Sequence, residues 1–331
     1  MRKIIDLPHR VCASTCYING LEDIFEWKGY RFPDYFLSVM GGMGEFTYLK
    51  FRNTNPPEMV YCGANPKYLL KELEKIIDFK QEVIENRTFR YTFSKIKKYI
   101  DEGKPVVAGA LDMYYLPYFE STYKKQHIPI HYILIVGYDD KAEEILIKDC
   151  TYSGLKRISF KEIEKALDVN VKGMSRKNTI RVFNLPERLP EEIDIARKGL
   201  RYRAEKMLRP PVSMFGIPAM KKLSREIAGW SNEASFDHLI SYATIPPHIP
   251  KKFDNSDGMR QWKSLVLKEL GNRYKIPEWI KASAIFRSSG EIFKEICFAA
   301  SVRDRAKVSK LLLEAAGLEE RAYRIIESLS L

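Results

Sequence analysis

Cysteine is scarce in this chain: there are five in 331 residues, an odd number at irregular spacing. A disulfide framework is not what holds such a protein together, and reduced thiols are expected. Long apolar runs are missing too. Stretches such as Tyr132 to Val136 are far too short to cross a bilayer, and the opening M-R-K-I-I-D-L-P-H lacks the apolar core of a secretory signal, so the expectation is a cytoplasmic protein with no membrane partner. There is no low-complexity tract and no internal repeat, which sets aside disorder and repeat architectures. The glycines at 41, 42 and 44 do not fall at phosphate-loop spacings, which discounts a nucleotide loop.

What is present is ordinary globular composition, 45% apolar and 30% charged, in a chain whose length suits two domains. The net charge of +12 asks for an acidic partner. Nucleic acid is the first thought, but the basic residues are mixed with acids, as in K-E-L-E-K, and no helix-turn-helix, zinc-finger or RNA-binding signature is visible. An acidic protein or substrate serves the charge equally well, as does a solvated basic surface with no partner.

Along the chain, Lys3 to Leu7 suggests a strand. Ser14 or Thr15 then caps a helix to about Trp27, closed by Gly29. Val39 to Phe51 reads as a glycine-rich turn leading into an alternating strand. Helices are expected from Lys67 to about Val83 and from Thr92 to about Glu102, and then the strand V-V-A-G-A-L. Strands led by His131 and ended by Asp149 follow, then a helix from Phe160 to Leu167 boxed by Ser159 and Glu162, and a last strand from Thr179 to Phe183. From Pro186 prolines punctuate helical patterns: Glu191 to Leu208, Pro218 to Trp230, Met259 to Tyr274, Ser289 to Ala300 and Arg303 to Leu329. The stretch between Ser231 and Asp257 reads as a loop long enough to fold over a site. The expectation is an α+β domain over residues 1–185 and an all-helical domain over 186–331, whose amphipathic terminal helix leaves room for a homodimer.

The stretch that carries chemistry is H-Y-I-L-I-V-G-Y-D-D-K-A-E-E-I-L-I-K-D. Two adjacent strands joined by a short charged turn bring their far ends together, so the His131 imidazole and the Asp149 carboxylate can meet at one sheet edge. A base with its orienter lacks a nucleophile, and Cys16, on the first turn of the expected helix, is the candidate, since free N–H groups and the dipole there favour a thiolate. Cys12 competes for the role. Each residue has a structural alternative: a buried thiol, a strand-edge histidine, a turn aspartate. His9, Cys12 and Cys16 also invite a metal cluster, but no fourth ligand stands at organised spacing, and no metal is expected.

The order of these motifs resembles papain-like cysteine enzymes of the bacteriocin-processing peptidase type, in which the cysteine lies 13 residues before the glycine that ends its helix, as Cys16 does before Gly29. With G-G-M-G-E-F-T-Y, D-M-Y-Y-L-P-Y at Asp112 to Tyr118, and F-G-I-P-A-M-K-K-L-S-R-E-I-A-G-W in the tail, the chain resembles the butirosin biosynthesis protein H family. The resemblance implies a papain-like fold and acyl transfer, through acyl-Cys16, from the phosphopantetheine arm of an acyl carrier protein, or another acyl thioester, to a small amine acceptor, with no further cofactor. His131 and Asp149 complete the triad, and Gly42, Gly44, Asp112 and Tyr115 are expected to line the substrate pocket. The peptidase relatives place a glutamine before the cysteine, whereas residues 1–15 contain none, leaving His9, Arg10 or Ser14 to substitute. The alternatives are a cysteine peptidase or amidase with the same triad, an inert carrier- or peptide-binding protein, and, last, a nucleic-acid binder.

Overall fold

The computed structural model describes residues 1–243 and 257–329. In chain order it contains β1 (Arg2–Ile4), α1 (Leu21–Trp27), α2 (Phe36–Met40), β2 (Thr47–Lys50), β3 (Glu58–Tyr61), α3 (Pro66–Ile77), β4 (Lys80–Ile84) and α4 (Phe89–Asp101). β5 (Val106–Leu111), β6 (His131–Asp139), β7 (Glu144–Asp149), β8 (Tyr152–Ser159), α5 (Phe160–Leu167) and β9 (Ile180–Asn184) follow. The remainder is helical: α6 (Glu192–Leu208), α7 (Gly216–Glu226), α8 (Glu233–Ala243), α9 (Arg260–Arg273), α10 (Pro277–Ser301) and α11 (Arg305–Ser328). The class is α+β with a helical C-terminal region.

The chain divides into two compact units that are not contiguous in sequence: residues 1–32 with 65–189, and residues 33–64 with 190–331. The break after Leu189 lies four residues from the expected boundary at 185, and the difference is that residues 33–64 fall with the helices. Residues 33–64 go with the helices because their apolar side chains are spent there. Phe36, Met40, Phe46 and Tyr48 are fully buried, α2 packs on α6 and α9, and β2 is tied to the α7 segment by Tyr48 N–H to Met214 O (2.9 Å) and Gly216 N–H to Phe46 O (2.8 Å).

The first unit is a seven-stranded sheet in the order β4-β9-β5-β6-β7-β8, with β1 also paired to β6. Every ladder is antiparallel. Central β5 and β6 read as unbroken apolar runs and are buried along their length, as strands covered on both faces must be. Asp139 folds the β6–β7 turn by accepting from the N–H groups of Lys141 (3.0 Å) and Ala142 (3.2 Å). Ser159 caps α5, accepting from Glu162 N–H at 3.2 Å while the Glu162 carboxylate returns to it at 3.0 Å.

Several boundaries differ from the sequence expectations. α3 stops at Ile77 because Asp78 turns into the left-handed region (φ 66), and Val83 belongs to the edge strand β4 instead. β8 was not anticipated either; like β4 it is an edge strand, largely exposed and so without a clean apolar alternation. Of the expected loop between Ser231 and Asp257, residues 233–243 form α8, and residues 244–256 lie outside those described. Among the described residues no helix is long and apolar enough to cross a membrane.

Candidate active site

Cys16 opens a single 3-10 turn, Cys16–Ile18, capped by Thr15, whose hydroxyl accepts from Tyr17 N–H at 3.3 Å. The expected continuous helix is broken at Asn19-Gly20. Gly20 has φ +80, and a Cβ there would come within 2.7 Å of the Leu134 and Val107 side chains, so only glycine lets the backbone lie this close to β6 and β5. Asn19 fixes the same approach by donating to Tyr132 O at 2.9 Å. The Asn-Gly pair was the readable signal for this turn. A lone 3-10 turn has little dipole, so thiolate stabilisation at Cys16 falls to its charged neighbour rather than to a helix end.

That neighbour is His131. Its Nε2 lies 2.7 Å from Asp149 Oδ2, and both side chains are essentially inaccessible. Asp149 is held in turn by Tyr118, whose hydroxyl donates to Oδ2 at 2.9 Å, and by Thr151 N–H to Oδ1 at 2.9 Å. Phe119 covers the imidazole edge-on with ring centroids 5.1 Å apart. Burial opposes charge on His131, but the Asp149 carboxylate, by charge and by hydrogen bond, and the Cys16 sulfur with which the ring also interacts, outweigh it and push the imidazole up to about 10. Burial would raise Asp149, yet His131 and the Thr151 N–H keep it below its ordinary range. The arrangement is a cationic imidazole between a carboxylate and a thiol; with Nε2 given to Asp149, Nδ1 is the nitrogen left for sulfur. Cys16 Sγ also lies 3.7 Å from Ile130 O.

Cys12 stands differently. Burial first, and the charge of Glu22 second, push its thiol well above the ordinary value, and its sulfur sits 3.5 Å from both Ser14 Oγ and Thr15 O. It is a protonated core thiol, and Cys16 is the cysteine that reaches the histidine.

His9 joins neither a metal cluster nor an oxyanion hole. Its Nδ1 is 2.7 Å from Asp23 Oδ2, and its Nε2 faces two carbonyl oxygens, Asp149 O at 3.1 Å and Tyr152 O at 2.9 Å. Both nitrogens face acceptors, so the buried ring is an imidazolium, which the raised pKa of His9 matches: burial opposes it and Asp23 prevails. It pins the segment leading to Cys16 onto the turn that carries Asp149. Arg10 is turned to Glu26 (3.3 Å) and Phe32 O (3.3 Å), and so is no substitute for the missing glutamine. Ligating atoms of His131, Asp149 and Cys150 lie within 4.8 Å of one another, but Cys150 is a buried thiol pushed well up by that burial and by Asp149, a poor source of thiolate.

The four expected pocket residues have the following partners. Asp112 is a loop clamp: Oδ1 accepts from Tyr114 N–H (3.0 Å) and Ile128 N–H (2.9 Å), and Oδ2 meets His127 Nδ1 at 2.5 Å. Tyr115 packs on Tyr114 and His127, with Lys165 over its ring. Gly42 and Gly44 belong to the other compact unit. Their positive φ values (98 and 81) bring their backbone close to the Arg203 and Lys263 side chains, and Gly44 O accepts from Lys263 Nζ at 2.7 Å. What the sequence reading missed is Tyr118, present in the quoted motif but assigned no role, and His9 as a clamp.

No curated protein matches the chain. Residues 15–150 match the family model described as Butirosin biosynthesis protein H, N-terminal, a span that begins one residue before Cys16 and ends one residue after Asp149. That match supports the resemblance to the butirosin biosynthesis protein H family read from the sequence.

Proposed function

We propose that this protein is a papain-like biosynthetic acyltransferase that takes an acyl group from a carrier-bound thioester onto Cys16 and passes it to an amine. The observation that carries this reading is the buried His131–Asp149 pair at 2.7 Å with its imidazole against the Cys16 sulfur. The match to a biosynthetic family supports it, and the charge of +12 suits an acidic carrier protein.

In the first half-reaction the Cys16 thiolate adds to the thioester carbonyl. The tetrahedral centre collapses with loss of the carrier thiolate, which takes the proton of the His131 imidazolium. In the second, an amine adds to acyl-Cys16, neutral His131 removes its proton, and Cys16 leaves as thiolate beside the restored imidazolium. The backbone N–H of Cys16 contributes to stabilising both oxyanions, a kind of donor worth about 10²–10³ in rate.

Intact-protein mass spectrometry tests this. Mixed with a panel of acyl-pantetheine thioesters, the protein should gain one acyl mass that is absent in Cys16→Ser, present in Cys12→Ser, and discharged faster by amines than by water. Faster discharge by water would make it an amidase or peptidase. An adduct that survives Cys16→Ser would sink the assignment.

A further inference from the structure

Strand β9 carries a cation in the middle of an apolar run. Arg181 sits between Ile180 and Val182 and is only 2% exposed. Among the described residues its Nε and Nη1 have no hydrogen-bond partner. Glu85 is the one carboxylate whose charge it feels, and that carboxylate is held by Lys67 Nζ at 2.9 and 3.2 Å. A guanidinium does not shed its proton in a protein, so among the described residues this buried charge has only a carboxylate shared with Lys67 to answer it, which is costly unless something supplies an anion.

The register of the sheet says where that anion would sit. Arg181 pairs with Val107 on β5, and Val107 pairs with Leu134 on β6. Tyr132, two residues from Leu134, shares its face of the sheet and pairs with Gly109. A Cβ on Gly109 would lie 2.6 Å from the Tyr132 ring, so the ring lies across the gap that this glycine leaves in β5, the strand between Tyr132 and β9. The Tyr132 hydroxyl is buried and interacts with the Ser175 hydroxyl, which accepts from Ala110 N–H at 2.9 Å and so has its own proton to give; among the described residues no acceptor takes the phenol's proton. The phenol feels the charges of both Arg181 and Cys16. Its ring also meets Tyr17, the residue after Cys16, edge-on at 5.8 Å. Among the described residues, two guanidinium N–H groups and one phenol O–H thus lack an acceptor on the sheet face against which the Cys16 turn is docked.

We propose that Arg181 and the Tyr132 hydroxyl form a subsite for a carboxylate carried by the acyl group that Cys16 accepts. This deepens the acyltransferase reading and rests on it for the identity of the ligand. A carboxylate fits better than a phosphate because one buried cation with one neutral donor balances a monoanion, whereas a phosphate monoester brings close to two charges. The subsite makes the enzyme selective for acidic acyl chains: a neutral chain in the same place leaves the guanidinium buried and unpaired.

The test compares succinyl-, glutaryl- and adipyl-pantetheine with butyryl-, pentanoyl- and hexanoyl-pantetheine, following acyl-Cys16 by mass. In the unaltered protein the best acidic chain is expected to load about 10- to 100-fold faster than its neutral counterpart. Arg181→Met should erase that preference while leaving neutral loading in place, and its melting temperature should equal or exceed that of the parent. Tyr132→Phe should shrink the preference without abolishing it. A separate arm needs no chemistry: in Cys16→Ala protein, succinate, glutarate or adipate should raise the melting temperature saturably, and Arg181→Met should remove the effect. Binding in that arm with no loading by any thioester would keep the subsite and sink the acyltransferase reading. Loading without preference for acidic chains, together with no stabilisation by the diacids, would overturn the subsite and keep the acyltransferase. A preference that survives Arg181→Met would also overturn it, as would loss of folding in both Arg181→Met and Arg181→Gln, which would make Arg181 a structural residue.

Discussion

In the helical unit Arg260 and Glu319 are both fully buried and meet at 2.8 Å, with Ser289 donating to the same carboxylate at 2.7 Å. Lys263 beside them, which burial lowers to about 8, donates to Gly44 O at 2.7 Å and to Tyr323 Oη at 2.6 Å. In the sheet unit two buried charges are of another kind. His131 has one nitrogen on Asp149 and its other side toward a thiol, and Arg181 has no acceptor for its Nε and Nη1 among the described residues. Burial costs the same in both units. The Arg260–Glu319 network answers the cost with partners, as the His9–Asp23 pair does in the sheet unit, whereas His131 and Arg181 leave valences directed at a nucleophile or open. Closed networks of this sort fix architecture; open ones mark chemistry.

Breaking each kind of network separates the two. Asp149→Asn keeps the side chain's shape but removes the charge that holds the imidazolium, and Cys16 acylation should fall by about 10²-fold or more, read as adduct formation rate with far-ultraviolet circular dichroism as the folding control. Glu319→Ala in the closed network should do the reverse, costing about 3–5 kcal/mol in urea unfolding by stranding Arg260, while a double replacement of both partners by apolar residues should recover most of that loss. His9→Gln removes an imidazolium with acceptors at both nitrogens. A loss of about 1–3 kcal/mol is expected, with slower alkylation of Cys16 by iodoacetamide near neutral pH; an unchanged alkylation rate would show that the clamp does not reach the site. The smallest effect is a slope. The His131 imidazolium lies above its ordinary value of 6.5, so its contribution to stability is complete below pH 6.5 and drains away as pH rises toward about 10. The stability difference between the parent and His131→Gln should therefore narrow across that interval in pH-resolved urea melts.

Much of the sheet unit was legible because its signals are local. The Ser159–Glu162 box, Asn65 before Pro66 and the apolar runs of β5 and β6 depend only on neighbours in sequence, and the β6–β7 hairpin converts a sequence interval into a meeting of His131 and Asp149. What stayed hidden depends on distant partners. Arg181 reads as an ordinary strand residue until the structure shows that, among the described residues, no acceptor meets its Nε and Nη1. His9 reads as a spare histidine until its two nitrogens are traced to Asp23 and the 149–152 turn. The glycines at 42 and 44 suggest an approach to a ligand, and only the packing of Arg203 and Lys263 shows what comes near. Residues 33–64 carry no label of the helices they join.

That last segment bears on how the protein can be divided. The stretch that matches the family model, residues 15–150, contains residues 33–64 and so draws from both compact units. Any fragment cut at a sequence boundary near 150 or 185 carries Phe36, Met40, Phe46 and Tyr48 away from the helices that bury them. The span of the family match and the span of a compact unit therefore part company: residues 15–150 taken alone would present to water the apolar side chains that residues 33–64 bury among the helices.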